Sequence, residues 1–335
     1  ALWALAGLSV SMFLVFLEWV GRAQPWLYGV RSLSLPLLLC VTAGALLLLL
    51  PRGLPGRWLG LFLVLPQFVP AAHQAAENGF RVDALDVGQG TAITVRIKRH
   101  LLLYDTGPGD GNGIDQVASA IAPLLPNLGR REPDRLVISH GDLDHRGGLF
   151  SFRRRYPDTP VIGSLREHDG AVEACRDNAG WDWDGFAFRV LHPSPGLPYL
   201  SNNSSCVLSV RNSATGILLA GDIEDFVEQR LLAGNLGKHS LLLAPHHGSA
   251  SSSSPAFIRR VQPQAAVATA SLGNRFGFPR EKVRRRYEAE GVALWATGEC
   301  GGLRIVFDDR GHMTAKSARR ERRRIWRYPA AGNCP

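Results

Sequence analysis

The chain has 335 residues, of which 45% are hydrophobic, and a formal net charge of +9. About 250 residues outside the apolar N-terminal part are ample for one packed α/β core. The basic excess favours acidic partners such as nucleic acid or anionic lipid, although a generally arginine-rich composition explains it equally well. The five cysteines form no CxxC pair, which argues against a zinc ribbon.

The N-terminal part is strongly apolar and predicts membrane helices. Residues 1–20 carry one charge, Glu18, and residues 33–50 carry none, which approaches the ~20 residues that a helix needs to cross hydrocarbon. Residues 58–72 form a third and shorter candidate. We therefore expect transmembrane helices within residues 1–75, with a buried soluble hairpin as the alternative. The chain begins inside an apolar segment with no charged region before it, which is typical of a piece from within a longer protein.

The rest of the chain alternates between strand-like and helix-like segments. Strands are predicted at residues 80–87, 91–98, 101–107, 135–140, 161–163, 186–193, 205–212, 216–223, 240–244, 265–271, 292–297 and 303–309, and helices at 114–128, 225–232 and 279–290. This order predicts a layered α/β fold, and polar clusters follow directly after several of the strands.

The densest polar cluster is the sequence HGDLDH, residues 140–145, directly after a buried strand. Four potential metal ligands lie within six residues, and buried carboxylates are costly unless a cation or hydrogen-bond donors accompany them. A solvated acidic turn is the alternative. Asp222 follows the strand GILLAG, and the pair His246 and His247 follows SLLLAP. We expect the three groups to converge on one edge of a sheet.

These residues resemble the metallo-β-lactamase superfamily, whose hallmark HxHxDH occurs here as HxDxDH. The resemblance is closest to the C-terminal domain of ComEC-type DNA-uptake channels, because five further motifs occur in order: DVGQG (86–90), YDTGP (104–108), NNSSCVL (202–208), GDIE (221–224) and PHHGS (245–249). It covers roughly residues 80–307. It implies an αββα sandwich at residues 79–315, preceded by transmembrane helices at 1–75 and followed by a basic tail at 316–335.

The resemblance also implies a centre for two divalent metal ions. Six side chains are implied as ligands: His140 and Asp142 for the first ion, Asp144, His145 and His247 for the second, and Asp222 as a bridge. His247 is preferred to His246 because the last histidine of the superfamily lies in a similar P-x-H-G context. His246 is then an outer or substrate-contacting residue. Carboxylate-rich sites accept Mn²⁺ as well as Zn²⁺, and the resemblance favours Mn²⁺.

Many superfamily members have a further histidine at the first ion, where this chain has NNSS. Asn203 or water is expected to take that place, which weakens the first site, and Asn203 is also a predicted substrate-binding residue. Asp144 is the predicted catalytic ligand, and Asp105 is predicted to orient a ligand histidine from behind, with a plain strand-end turn as the alternative. Gln89 and Ser249 are expected either to contact the substrate or only to form turns.

The implied function is a metal-dependent phosphodiesterase or nuclease that hydrolyses one strand of incoming DNA during natural transformation. Two ions ~3.5–4 Å apart suit the clamping of a phosphodiester. The hydrolase domain would lie on the extracytoplasmic side of the inner membrane, with non-specific single- or double-stranded DNA and other uptake machinery as partners. The alternatives are a hydrolase of a β-lactam or small phosphodiester and a non-catalytic, metal-stabilised DNA-binding or channel-gating module.

Three arginine runs, at residues 153–155, 284–286 and 319–324, are candidates to guide a polyanion, although each is also explained as a solvated face or tail. Trp326 and Tyr328 lie near the last run and are candidates to stack on bases.

The cysteines outside the apolar part predict two disulfides in an extracytoplasmic domain. Three pairings are possible in principle, with four unrelated thiols as the alternative, and our hypothesis pairs Cys175 with Cys206 and Cys300 with Cys334.

Overall fold

The computed structural model describes residues 7, 9–16, 35–51, 56–68, 79–109, 115–166, 172–321 and 328–335. The chain divides into two compact units, Ala1–His73 and Gln74–Pro335.

In the described part of the first unit, residues 9–16 are helical, and two further apolar helices, α1 (Leu35–Leu49) and α2 (Leu59–Val64), precede a 3-10 turn. The helices pack where Gly44 meets Gly60, and a Cβ at either position would collide with the carbonyl oxygen of the other. Among the described residues, no helix is both long and apolar enough to cross a bilayer. Parts of all three expected spans lie outside those residues, so the transmembrane helices stay a prediction.

The second unit contains fifteen described strands. They are β1 (Phe80–Ala84), β2 (Ile93–Ile97), β3 (Leu101–Tyr104), β4 (Arg135–Ile138), β5 (Val161–Gly163), β6 (Glu173–Ala174), β7 (Gly180–Trp183), β8 (Phe186–His192), β9 (Val207–Arg211), β10 (Gly216–Leu219), β11 (Leu241–Leu243), β12 (Ala265–Ala268), β13 (Ala293–Ala296), β14 (Leu303–Phe307) and β15 (Met313–Ser317). One sheet has the order β15-β14-β1-β2-β3-β4-β5-β6 and the other β13-β12-β11-β10-β9-β8-β7. The segments β3 to β6 and β10 to β13 are parallel, so their carboxyl ends lie at common edges.

The helices described in this unit are α3 (Ala122–Leu124), α4 (Leu143–Arg146), α5 (Leu149–Arg155), α6 (Asp225–Ala233), α7 (Pro255–Val261), α8 (Glu281–Ala289), α9 (Thr297–Cys300) and α10 (Ala318–Glu321). The inner faces of the two sheets share one apolar core, in which Phe80 stacks on Phe307 at 4.6 Å and meets Phe186 edge-on at 5.3 Å. Phe152 covers the outer face of the first sheet, and Tyr287 covers that of the second. The predicted αββα sandwich is therefore confirmed.

The sequence-based elements differ from the structure in two regions. The helix expected at 114–128 is a π turn (Val117–Ile121), α3 and a 3-10 turn (Leu125–Leu128), because Pro123 and Pro126 each remove a backbone donor. Its first residue, Ile114, lies outside the described residues. The short edge strands β6 and β7 and the last strand β15 were not expected.

The described residues 316–321 and 328–335 pack within the second unit, whereas a separate basic tail was expected at 316–335. Strand β15 crosses that boundary, and the Ser317 hydroxyl donates to the carbonyl of Pro335 at 2.9 Å. A disulfide joins Cys334 to Cys300, and a second disulfide joins Cys175 to Cys206, so both hypothesised pairs are present. Trp326 lies outside the described residues.

His239, just before β11, is a buried histidine that links stability to pH. It is 2% exposed, its Nδ1–H donates to Gly237 O at 2.9 Å, and the hydroxyl of Ser209 donates to Nε2 at 2.7 Å. Burial, with the nearby charge of Arg211, lowers its pKa from 6.5 to about 4. Between pH 6.5 and 4, His239 therefore binds a proton in the unfolded chain but stays neutral in the folded chain.

We expect this histidine to contribute full stability above pH 6.5 and to lose about 3 kcal/mol of it as the pH falls to 4. Urea unfolding of the wild type and of His239→Gln at pH 7 and pH 4.5 measures the effect, since the variant should show a smaller loss on acidification. His312→Gln, at an exposed histidine, is the matched control. Equal losses in the wild type and His239→Gln would contradict the assignment.

Candidate metal centre

Polar side chains gather where four parallel strands end. Asp105 follows β3, residues 140–145 follow β4, Asp222 follows β10, and His246 with His247 follows β11. His140, His145 and Asp222 offer donor atoms that all lie within 4.8 Å of one another, and so do Asp144, His145 and His247. The expected convergence of the three sequence clusters is therefore present.

Three buried histidines of this cluster have the same proton arrangement. Nδ1 of His145 lies 2.8 Å from Asp105 Oδ2, and Nδ1 of His247 lies 3.0 Å from Thr269 Oγ1. Nδ1 of His140 lies 3.1 Å from the Ser139 hydroxyl. With a metal ion bound, the single proton of each neutral ring would stay on Nδ1, where an oxygen accepts it, and the Nε2 lone pair would face the ion.

The side chains predicted to hold the second ion form a compact set. His247 Nε2 lies 3.3 Å from Asp144 Oδ2, 3.2 Å from Asp222 Oδ2 and 3.3 Å from His145 Nε2, and His145 Nε2 lies 3.3 Å from Asp222 Oδ1. Four ligands at ~2.0–2.2 Å from a tetrahedral ion are roughly 3.3–3.6 Å apart. Asp144, His145 and His247 lie close to this spacing, with 3.8 Å between Asp144 Oδ2 and His145 Nε2, so they suit one divalent ion, and Asp222 faces both histidines through its two oxygens.

Fewer side chains are available for the predicted first ion. His140 is fully buried, and its Nε2 has no hydrogen-bond partner, although Asp142 Oδ2 lies 3.4 Å away. A buried imidazole nitrogen without a partner is costly, so it fits a position facing an ion. The carboxylate of Asp142 is 48% exposed. The side chains available to a first ion are therefore His140, Asp142 and Asp222, and Asp222 also belongs to the set predicted for the second ion.

The charges of the cluster attract a cation. Burial opposes ionisation of Asp144, but the hydrogen bond from His247 and the charge of His145 bring its pKa to about 2. Burial lowers the pKa of His247, but Asp222 and Asp144 outweigh burial and raise it to about 9. His145 behaves in the same way, with Asp222 and Asp105 holding its pKa well above the usual range. The carboxylates therefore create a negative potential that a divalent ion would neutralise.

Two glycine-containing turns fix the ligand loops. In DVGQG, Gly90 packs against the carbonyl oxygen of Asp144, where a Cβ would collide, and Thr91 N–H donates to the same oxygen at 3.0 Å. In PHHGS, both histidines have positive φ, 50° for His246 and 55° for His247. Non-glycine residues rarely adopt this conformation, and it orients both rings toward the cluster.

The four residues predicted to contact substrate lie around the cluster, in different settings. Gln89 Oε1 and His246 Nδ1 are buried without a hydrogen-bond partner. Ser249 Oγ lies 3.1 Å from Ser251 Oγ. The Asn203 amide is held at both ends by Glu224, through the backbone N–H and the carboxylate, at 3.0 Å each. These bonds occupy both ends of the Asn203 amide, so of the two expected occupants of the first-ion place, Asn203 and water, the geometry favours water.

Sequence reasoning missed the residues that support the ligands. Thr269 follows β12 in AAVATAS and contacts Thr91 at 2.8 Å, so the pair links His247 to the DVGQG loop. Glu224 also accepts from Ser251 Oγ at 2.9 Å and lies 3.5 Å from His246 Nδ1. The available signal was the position of Thr269 just beyond a parallel strand, the same position that the ligands occupy.

The Metallo-beta-lactamase superfamily matches residues 85–270 of the chain. Competence protein ComA of Neisseria gonorrhoeae is 36% identical over 309 residues, covering 91% of this chain and 43% of ComA. Recombination protein 2 of Haemophilus influenzae is 33% identical over 238 residues, covering 70% of this chain and 30% of that protein. The crystal structure of the metallo-beta-lactamase fold protein YhfI from Bacillus subtilis aligns with a TM-score of 0.43 at 10% identity, over 65% of this chain and 96% of YhfI. The chain spans less than half the length of these two curated relatives.

Proposed function

Since the chain belongs to the metallo-beta-lactamase superfamily, we propose that this metal-dependent hydrolase is a phosphodiesterase that degrades one strand of DNA during uptake. The compact ligand set of Asp144, His145, Asp222 and His247 carries the proposal. The names Competence protein ComA and Recombination protein 2 support DNA as the substrate. A purely structural metal site would not need the exposed approach that Asp144 has, with a side chain 34% exposed.

Two divalent ions, Mn²⁺ or Zn²⁺, would be held by this chain. Asp144, His145 and His247 would hold one ion, and His140 and Asp142 the other, with Asp222 shared. A bound divalent ion supplies Lewis-acid polarisation of a phosphoryl oxygen and offsets the charge that develops there. The weaker ligand set of the first ion suits Mn²⁺, which accepts oxygen ligands readily.

The residues around the ions would position them and the substrate. Asp105 and Thr269 keep the protons of two ligand histidines on Nδ1. Asp144 is ionised throughout the physiological pH range because its pKa is about 2. Gln89 Oε1 is a buried acceptor without a hydrogen-bond partner, which a sugar hydroxyl of the substrate would satisfy, and His246 lies beside the ligand histidines, where it would contact the substrate. Ser249, beside His246, would complete this contact surface.

We place the hydrolase unit on the extracytoplasmic side of a membrane, anchored by helices within residues 1–75, with other DNA-uptake proteins as partners. The two disulfides support this location, because such bonds persist in oxidising compartments.

The test is a substrate panel for the full chain purified in detergent. We expect hydrolysis of single-stranded DNA in Mn²⁺ or Zn²⁺, its loss in a chelator and its recovery when Mn²⁺ returns. A β-lactam should be inert, because Asp142 and the NNSS segment replace first-ion histidines. Cleavage of the β-lactam or of a dinucleotide analogue, with DNA intact, would identify a different hydrolase. DNA binding without cleavage would identify a non-catalytic module.

A further inference from the structure

Two phenylalanines extend outward from the candidate metal centre. The Phe278 ring lies 5.7 Å from the ring of His246 and 6.4 Å from that of His247. Phe276 stacks on Phe278 at 5.4 Å with an interplanar angle of 18°, and its side chain is 38% exposed. We call Phe276, Phe278 and the adjacent Arg275 and Arg280 the aromatic strip. It connects solvent to the ligand histidines.

The strip is fixed to the centre by hydrogen bonds. The Asn274 amide donates to the carbonyls of Ser271 at 2.9 Å and Phe278 at 2.7 Å, and accepts from Phe278 N–H at 2.9 Å. The Arg280 N–H donates to the carbonyl of Gly248, in the PHHGS turn, at 2.9 Å. A rigid loop that holds an aromatic ring toward solvent is not explained by packing, because burial of that ring would be more favourable.

The cations of the strip are available to a ligand. The Arg275 guanidinium lies 4.7 Å from the Phe276 ring centroid, and that of Arg280 lies 5.8 Å from the Phe278 centroid. Within the described ranges, neither arginine pairs with a carboxylate.

The nearby run 284–286 differs. Arg284 pairs with Glu299, Arg285 pairs with Glu281, and Arg286 donates to backbone carbonyls in the serine loop. Carboxylates therefore neutralise two arginines of the run and backbone carbonyls hold the third, whereas the two arginines of the strip have neither kind of partner among the described residues.

We propose that the aromatic strip binds single-stranded nucleic acid, with a base stacked on Phe276 and flanking phosphates at Arg275 and Arg280. This deepens the proposed function and rests on it. A single strand fits because its bases are free to stack, whereas those of a duplex are already stacked on each other. Every base offers a π face, so recognition is independent of sequence. The strand would run along the strip and present a phosphodiester at the ligand histidines.

The test measures binding of the full chain to a fluorescent oligothymidine by anisotropy, in chelator so that cleavage does not interfere. We expect Phe276→Ala to weaken binding about tenfold, as for loss of one stacked base. Phe276→Trp should retain affinity. Phe150→Ala is the matched control and should bind like the wild type, since this phenylalanine is exposed on α5 and lies outside the strip. Equal affinities of Phe276→Ala and wild type would overturn the proposal.

The contribution of the two arginine charges to binding is measured separately, from the salt dependence of the affinity. Arg275→Gln and Arg280→Gln should each reduce the slope of log affinity against log salt by about 0.7, the value for one phosphate contact on a single strand. Arg310→Gln, at an exposed arginine in the β14–β15 turn, should leave the slope unchanged. Slopes unchanged in both strip variants would contradict phosphate binding there.

An abasic oligonucleotide separates stacking from a folding defect. The wild type should bind it about tenfold more weakly than oligothymidine, and Phe276→Ala should bind both alike. A variant that weakens binding of both oligonucleotides equally would assign Phe276 a merely structural role. If the two oligonucleotides bind as expected but the wild type does not hydrolyse DNA in Mn²⁺, the proposed function is rejected and binding of single strands by the strip is supported. DNA hydrolysis by the wild type, together with a wild-type affinity of Phe276→Ala for oligothymidine, would support the proposed function and reject the role of the strip.

Discussion

Asp144→Ala should lower DNA hydrolysis by more than about 100-fold, the upper end of what the loss of an outer contact to a metal ligand costs. Asp144 Oδ2 is 3.3 Å from His247 Nε2 and 3.8 Å from His145 Nε2, so its removal opens the second-ion set. The ionised carboxylate, with a pKa of about 2, also supplies charge that attracts the ion. Bound metal per chain should fall together with the rate.

The fold should survive this change, because the Asp144 side chain is 34% exposed and its truncation leaves no closed cavity. Circular dichroism and the urea midpoint check that point. Asp182→Ala is the matched control, because this exposed carboxylate pairs with Arg189 on the surface. Metal analysis and hydrolysis of single-stranded DNA are then measured on the same preparations. Full activity in Asp144→Ala with reduced activity in Asp182→Ala would contradict the site assignment.

Asp105→Asn should weaken metal affinity by about 10- to 100-fold without removing any ligand. Asp105 is fully buried and accepts from the Ser139 N–H at 2.6 Å, the Ser139 hydroxyl at 2.8 Å and His145 Nδ1–H at 2.8 Å. Asparagine keeps one oxygen, but its NH₂ group would face a donor. The proton of His145 is then driven to Nε2, which blocks the lone pair that a metal needs.

The backbone should tolerate this substitution, since Asp105 has φ of 61° and asparagine adopts that region readily. Competition against a zinc-binding dye measures the affinity. Asp184→Asn is the matched control, because Asp184 accepts from His100 Nδ1 at 2.9 Å in a second histidine–carboxylate pair. We expect Asp184→Asn to bind zinc like the wild type. If Asp105→Asn did so too, tautomer control by Asp105 would be excluded.

The sequence by itself determined the parts of the site that depend on local order. A ligand placed directly after a buried strand must lie at the strand's carboxyl end, so residues 140–145, Asp222 and His247 were predictable from the strands before them. The helices of the outer layers were predictable from the helical spacing of apolar residues, except at 114–128, where Pro123 and Pro126 interrupt the helix. The disulfide pairs were hypothesised from the cysteine positions alone.

Only the tertiary structure decided which side chains support the ligands and which remain free. Thr269 lies behind His247, Glu224 binds both ends of the Asn203 amide, and Arg284 is paired with Glu299 while Arg275 is not. Each of these contacts joins residues that are distant in the sequence. Two arginines can therefore have different partners because they lie on different segments of the chain. The distances between these residues depend on strand order and loop packing. Neither can be predicted from the residues that are adjacent in the sequence.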